Sequence, residues 1–134
     1  MWSRWWAKLL RGLSAGAHQR DNVVDVLVQV SLDTGPGDGG RAGVPPADVD
    51  RLAEQVAAAD GLRLRGVMAV APLGEDPLPA FAKLAGIASS VRRIEPSATW
   101  ISAGMSGDLE AAVESGATHV RIGSAVLGSR PPRR

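Results

Sequence analysis

The chain alternates between two hydrophobic periods, and this alternation is its main structural signal. In the stretch "VDVLVQVSL" (24–32) valine or leucine occupies every second position, which predicts a strand. From Ala47 onward the apolar residues recur with the period of 3.6 that is typical of a helix, and this helix is predicted to end at Gly61. The strand-then-helix order repeats along the rest of the chain.

Three more strands and three more helices follow from the same patterns. The strands are predicted at 64–72, 98–104 and 119–123, and the helices at 6–19, 77–94 and 106–116, with a short helical turn from Ser124. Crossovers that contain a helix predict a parallel sheet covered by helices. Right-handed crossovers leave two topologies, a doubly wound sheet or part of a (β/α)8 barrel. Four βα units make half of such a barrel, which needs about 250 residues.

Composition limits the classes of function. Hydrophobic residues make up 45% and charged residues 22% of the 134 residues, which is typical of a single globular domain. The net charge of +1 predicts no nucleic-acid partner. The chain has no cysteine, and its two histidines, His18 and His119, are far apart, so no metal site is predicted. No apolar run approaches the roughly 20 residues of a transmembrane helix.

The first residues, "MWSRWWAKLLRGL", form an unusual segment rich in tryptophan. As a helix this segment is amphipathic and basic, which is compatible with a membrane-surface helix. The other interpretation is a helix that packs on the core, or an atypical chain start. The segment lacks the features of a signal peptide. We expect residues 1–6 to be an atypical start, 7–130 a single domain and 131–134 a tail.

A glycine-rich loop follows the first strand and formally matches the G-x-G-x-x-G motif at residues 35–40. Dinucleotide binding requires that a helix opens inside the motif, so that the pyrophosphate meets the helix N-terminus. Here the helix begins only near Ala47, beyond Pro45 and Pro46. The spacing therefore favours a surface loop.

Two turns of small residues, in "SAGMSGDLEAA" and "RIGSAVLG", follow the last two predicted strands and precede helices. Such turns can bind a phosphate, because helix N-termini carry unpaired N–H groups. Gly104 and Gly123 would allow close approach of a ligand, and Ser106 and Ser124 would donate hydroxyl hydrogen bonds. Alternatively, Ser106 only caps its own helix. For Asp108 we favour stabilisation of the helix dipole over acid–base catalysis.

One charge lies in an apolar predicted strand. Arg121 stands between Val120 and Ile122. A guanidinium in such surroundings needs a partner, because burying an unpaired charge is costly. The sequence therefore predicts that Arg121 contacts either another part of the fold or a ligand.

The stretches "DVLVQVSLD", "GVMAVAP" and "WISAGMSGDLEAAVESGATHVRIGSAVLGSR" resemble the C-terminal half of the YggS/PROSC family of pyridoxal 5′-phosphate (PLP) homeostasis proteins. The resemblance covers roughly residues 7–130 and implies an α/β fold like the N-terminal domain of alanine racemase. The parallel βα repeats would form about half of a (β/α)8 TIM barrel, with strands that correspond to the fifth to eighth of the family.

The resemblance also implies a site and a function. In the family PLP lies at the carboxyl ends of the strands. Its phosphate would be bound by Ser106, Gly123 and Ser124 with Met105 alongside, while Arg121 would face the pyridine nitrogen. A non-catalytic, cytoplasmic PLP carrier and regulator is therefore expected.

The sequence departs from the family pattern in one respect. The lysine that binds PLP covalently on the first barrel strand, and the "HxIGxLQxNK" segment on the third, are absent. Lys8 and Lys83 lie in predicted helices. We therefore expect a truncated chain that binds PLP non-covalently at most. Racemase activity is disfavoured, because it also needs a tyrosine and the chain has none. Exposed strand edges predict self-association or pairing with a separate N-terminal half. The alternative function is that of an interaction or membrane-surface protein that uses the tryptophan-rich helix.

Overall fold

Parallel strands alternate with helices in the computed structural model, which describes residues 2–33, 43–123, 126, 128 and 131–132. The elements in these ranges are α1 (Trp2–Gln19), β1 (Val24–Gln29), a 3-10 turn (Pro46–Asp48), α2 (Val49–Ala58), β2 (Leu62–Met68), α3 (Pro77–Ile94), β3 (Trp100–Ser102) and α4 (Leu109–Glu114). None of the helices described there is long and apolar enough to cross a bilayer. The predicted succession of elements is thus present up to α4.

The strands form one parallel sheet in the order β1-β2-β3. Beside β3, the segment around His119 contributes an isolated parallel bridge to Ser102, where a strand was predicted at 119–123. Neighbours in the sheet are therefore neighbours in sequence, as in a (β/α)8 barrel. The β1–β2 register shifts after Val26, which pairs with Leu64, while Leu27 pairs with Gly66. The shift leaves one residue of β2 without a partner on β1.

The core lies between the sheet and the helices α2 and α3. Phe81, Leu84 and Val91 of α3 are buried against Leu64 and Val67 of β2. The bounds of α3 are those predicted, because strong local signals set its start. Its N-cap carboxylate, Asp76, accepts a hydrogen bond of 3.1 Å from the Leu78 N–H, and proline follows at the first helical position.

Several elements are shorter than predicted. β2 ends at Met68 and not at residue 72, β3 covers Trp100–Ser102 and not 98–104, and α2 covers Val49–Ala58 and does not extend from Ala47 to Gly61. β1 was expected to reach Leu32 but ends at Gln29, after which the Ser31 N–H donates to the carbonyl of Val44. α4 was expected from Ser106 but begins at Leu109. The three residues before it form a tighter turn.

The side of the sheet that faces away from α2 and α3 carries polar and aromatic residues. An ion pair of 3.8 Å joins Asp25 of β1 to Arg63 of β2. The guanidinium carbon of Arg65 lies 4.4 Å from the ring centroid of Trp100, whose ring is 4.6 Å from that of His119. Asp25, Arg63 and Trp100 lie at the amino ends of their strands, and Arg65 lies at the middle of β2. The opposite end of the sheet is therefore left for the candidate site.

Candidate functional site

A cleft of about 750 Å³ opens at the carboxyl ends of β2, β3 and the His119 segment. Three stretches line it: residues 71–75 with Pro77 after β2, residues 105–108 after β3, and residues 121–123. In parallel α/β folds this end of the sheet is where ligands bind. The topology thus brings together the two turns in which the sequence predicted a site.

Arg121 reaches from the last segment, past β3, to the carboxyl end of β2. Its Nη2 donates a hydrogen bond of 3.2 Å to the carbonyl of Ala69, and its backbone N–H donates to the carbonyl of Gly104 at 3.0 Å. Its Nε is buried and has no hydrogen-bond partner among the described atoms. A buried N–H without a partner costs about 1–3 kcal/mol. The fold therefore leaves the guanidinium only partly satisfied at the wall of the cleft.

The rest of the wall combines apolar side chains with two carboxylates. Leu73, Met105 and Ile122 are exposed there despite being apolar. Among the described lining residues Arg121 is the one cation, and Glu75 and Asp108 are the acids. The cleft therefore offers apolar contact to a flat ring and a single cationic group.

Asp108 closes the turn after β3. Its Oδ1 accepts a hydrogen bond of 2.7 Å from the Met105 N–H, and its own N–H donates to the Met105 carbonyl at 3.1 Å. This reciprocal pair resembles a capping box, in which a carboxylate reaches back over three residues. Asp108 thus holds the turn between β3 and α4 in place.

Gly104 has a different role from the one expected. It does not belong to the cleft lining; its φ is +95°, and a Cβ added to it would lie 2.6 Å from the Cβ of Ala112 in α4. The glycine therefore allows α4 to pack on the end of β3, not a ligand to approach. Gly123, by contrast, lines the cleft and has open space around it.

Four of the five predicted site residues line the same cleft: Met105, Ser106, Arg121 and Gly123. Ser124 and the glycine motif at 35–40 lie outside the described residues. The sequence interpretation missed the loop at 71–75. Its proline and glycine, in "APLGEDP" directly after a strand, are the signal that could have indicated it.

Neither lysine belongs to the site. Lys8 is exposed on α1 and Lys83 is exposed on α3, and neither lines the cleft. The described residues contain no group of three or more histidine, aspartate or glutamate side chains placed to hold a metal ion. The charged groups among the described lining residues are thus Arg121, Glu75 and Asp108.

The family model described as "Alanine racemase, N-terminal domain" matches residues 3–131. Curated relatives named pyridoxal phosphate homeostasis protein include one from Mycobacterium tuberculosis, 48% identical over 116 residues, which are 84% of this chain and 44% of the relative. The relative from Corynebacterium glutamicum is 39% identical over 124 residues, 90% of this chain and 55% of its own length. The chain spans about half the length of these relatives.

Solved structures of similar fold include proteins of the same kind. PipY of Synechococcus elongatus with PLP bound has a TM-score of 0.76 at 30% identity, over 87% of this chain and 54% of its own. A D-threonine aldolase from Filomicrobium marinum has a TM-score of 0.70 at 26% identity, over 87% of this chain and 34% of its own. These matches confirm the predicted barrel-type fold and the resemblance to PLP homeostasis proteins.

Proposed function

Because the chain belongs to the family of alanine racemase N-terminal domains, we propose that it binds PLP non-covalently in the cleft and serves PLP homeostasis without catalysing a reaction. The observation that carries the proposal is Arg121, which lines the cleft with a buried, unpaired Nε. A cytoplasmic location is part of the same proposal.

The described residues fit this cofactor in size and chemistry. A volume of about 750 Å³ lies within the range of small-molecule sites. Leu73, Met105 and Ile122 offer apolar contact for the ring. For the phosphate we propose the hydroxyl of Ser106 and the backbone N–H groups around Gly123, since such donors are typical phosphate ligands. Ser124 completes the proposed set.

Arg121 would control the reactivity of the ring. Bound PLP supplies an electron-withdrawing pyridine whose strength depends on protonation of its nitrogen. A guanidinium keeps its proton in proteins, so Arg121 would donate a hydrogen bond to that nitrogen without protonating it. The carbonyl of Ala69 holds the guanidinium in place. An arginine in this position supports a carrier function more than catalysis.

The two lysines support non-covalent binding. Lys8 and Lys83 are exposed on helices and neither lines the cleft. The chain also has no tyrosine, which alanine racemase chemistry would require. We therefore propose that no lysine of this chain is attached to PLP at the site and that the chain has no racemase activity.

A PLP titration followed by borohydride reduction tests this function. We expect saturable binding that dialysis reverses, and no stoichiometric label on either lysine after reduction. The matched variant Lys8→Arg/Lys83→Arg should bind PLP with unchanged affinity. Absence of saturable binding would contradict the proposed function. Loss of binding in the double variant, or one labelled lysine per chain, would contradict the non-covalent mode.

We also propose that the open parts of the half-barrel pair with another chain, either a second copy or a separate N-terminal half. β1 is bonded to β2 on one side, while on its other side the one bridge among the described residues is that of Val44 to Val30, just beyond the strand end. Unpaired strand edges favour association. Sedimentation velocity of the purified chain is expected to show a dimer or larger species. A single monomeric species over the accessible concentration range would contradict self-association.

A further inference from the structure

Helix α1 has two apolar rows, and the described part of the protein packs one of them more closely than the other. Trp6 and Leu10 pack against the hydrophobic core, and Ala17 is buried. Leu9 and Leu13 lie on the neighbouring row, four residues apart, and are 48% and 37% exposed. The described part of the protein therefore leaves a leucine row of α1 uncovered.

In the sequence, the helical positions of this row continue towards the start of the helix. Trp5 precedes Leu9 by four positions, and Trp2 precedes it by seven, so the helical register aligns both positions with Leu9. A row of tryptophan and leucine is the apolar composition of helices that lie in a membrane interface.

The charge of α1 is of one sign. Residues 2–19 contain Arg4, Lys8 and Arg11 and no aspartate or glutamate. Lys8 and Arg11 are exposed. Basic residues near an anionic bilayer each contribute about 1 kcal/mol to binding. The charge is therefore complementary to a surface of anionic lipid.

We propose that α1 docks on the surface of an anionic phospholipid bilayer, with its axis in the plane of the membrane. Leu9 and Leu13 would enter the boundary between headgroups and acyl chains, while Lys8, on the flank of that row, contacts the lipid phosphates and Arg11, on the far side of the helix, adds to the positive charge of α1. The cleft lies at the carboxyl ends of the strands, and no residue of α1 lines it. Membrane docking is thus a second property, separate from ligand binding at the cleft.

Vesicle flotation of the full chain tests this docking. The probes are vesicles of equal parts phosphatidylserine and phosphatidylcholine, and vesicles of phosphatidylcholine alone. We expect binding to the mixed vesicles that weakens as salt is raised. Leu9→Ser/Leu13→Ser should lower the partition coefficient on the order of 100-fold, because two apolar side chains are lost. The matched control Leu78→Ser/Val113→Ser changes two exposed apolar residues of α3 and α4 and should bind like the parent chain.

A second variant tests the contribution of the basic side chains to vesicle binding. Lys8→Gln/Arg11→Gln should weaken binding to mixed vesicles about tenfold or more, with little effect on neutral vesicles. Far-UV circular dichroism and PLP affinity should stay unchanged in all variants, which separates this result from the function of the cleft. Absence of binding to mixed vesicles, or binding that Leu9→Ser/Leu13→Ser leaves intact, would overturn the proposal. If that variant instead converts a dimer to a monomer and vesicles bind nothing, the row is an interface between two copies.

Discussion

Replacing Arg121 with methionine is expected to weaken PLP binding by about tenfold to 100-fold, the cost of losing a hydrogen bond from a charged donor. Methionine retains much of the aliphatic length of the side chain but has no N–H to donate. The proposed hydrogen bond to the ring nitrogen disappears, and the carbonyl of Ala69 loses the Nη2 donor at 3.2 Å. A PLP titration of the variant measures the change directly.

Arg65 provides the matched control for this experiment. It is also a half-buried arginine with an unpaired Nε, but it stacks on Trp100 at the other end of the sheet. Arg65→Met should therefore leave PLP affinity unchanged. Thermal unfolding of both variants shows whether the fold is retained. Equal PLP affinity of Arg121→Met and the parent chain would show that the arginine is not a ligand of the cofactor.

The second large effect is expected at Gly66, where Gly66→Ala should destabilise the fold by about 3 kcal/mol or more. The backbone at Gly66 has a φ of +150°, and an added Cβ would overlap the carbonyl oxygen of Trp100 in β3. That overlap is with backbone, so no side-chain rotation can relieve it. Relief would require β2 and β3 to separate where Gly66 pairs with Trp100. Urea unfolding measures the loss.

Gly86 supplies a control of opposite sign. It lies in the interior of α3, and an added Cβ would meet no atom within 4 Å. Gly86→Ala should therefore raise the free energy of unfolding by about 0.5–1 kcal/mol, because alanine favours the helix. If Gly66→Ala has the same free energy of unfolding as the parent chain, that result would contradict the close packing of β2 against β3 at Gly66.

The elements that the sequence predicted best are those whose signals are local. α3 begins and ends as predicted, since an Asp-Pro start and a long helical period both lie within its own residues. The pairing of β1 with β2 follows from alternating strands and helix crossovers, which leave few topologies. Four residues of the candidate site were also predicted, because two short turns carry the pattern that the family shares.

Other features depend on contacts that local patterns do not encode. Whether Ser106 or Asp108 caps the turn before α4 is not decided by residue type, since both are good capping residues. The backbone geometry gives Asp108 this contact, by bringing the Met105 N–H within 2.7 Å of its carboxylate. The loop at 71–75 could not be predicted as part of the cleft for a similar reason. It lies beside the turn after β3 because β2 and β3 are parallel neighbours in the sheet.

Arg121 shows most clearly which properties follow from the sequence and which depend on the tertiary structure. The sequence alone established that a charge in an apolar segment needs a partner, because desolvation of an unpaired guanidinium is costly wherever the segment lies. Only the tertiary structure identified that partner as the carbonyl of Ala69, 52 residues away in the chain. In the same structure the parallel sheet places the carboxyl ends of separate strands side by side, and so brings Arg121 to the wall of the cleft, with its Nε buried and without a partner among the described residues.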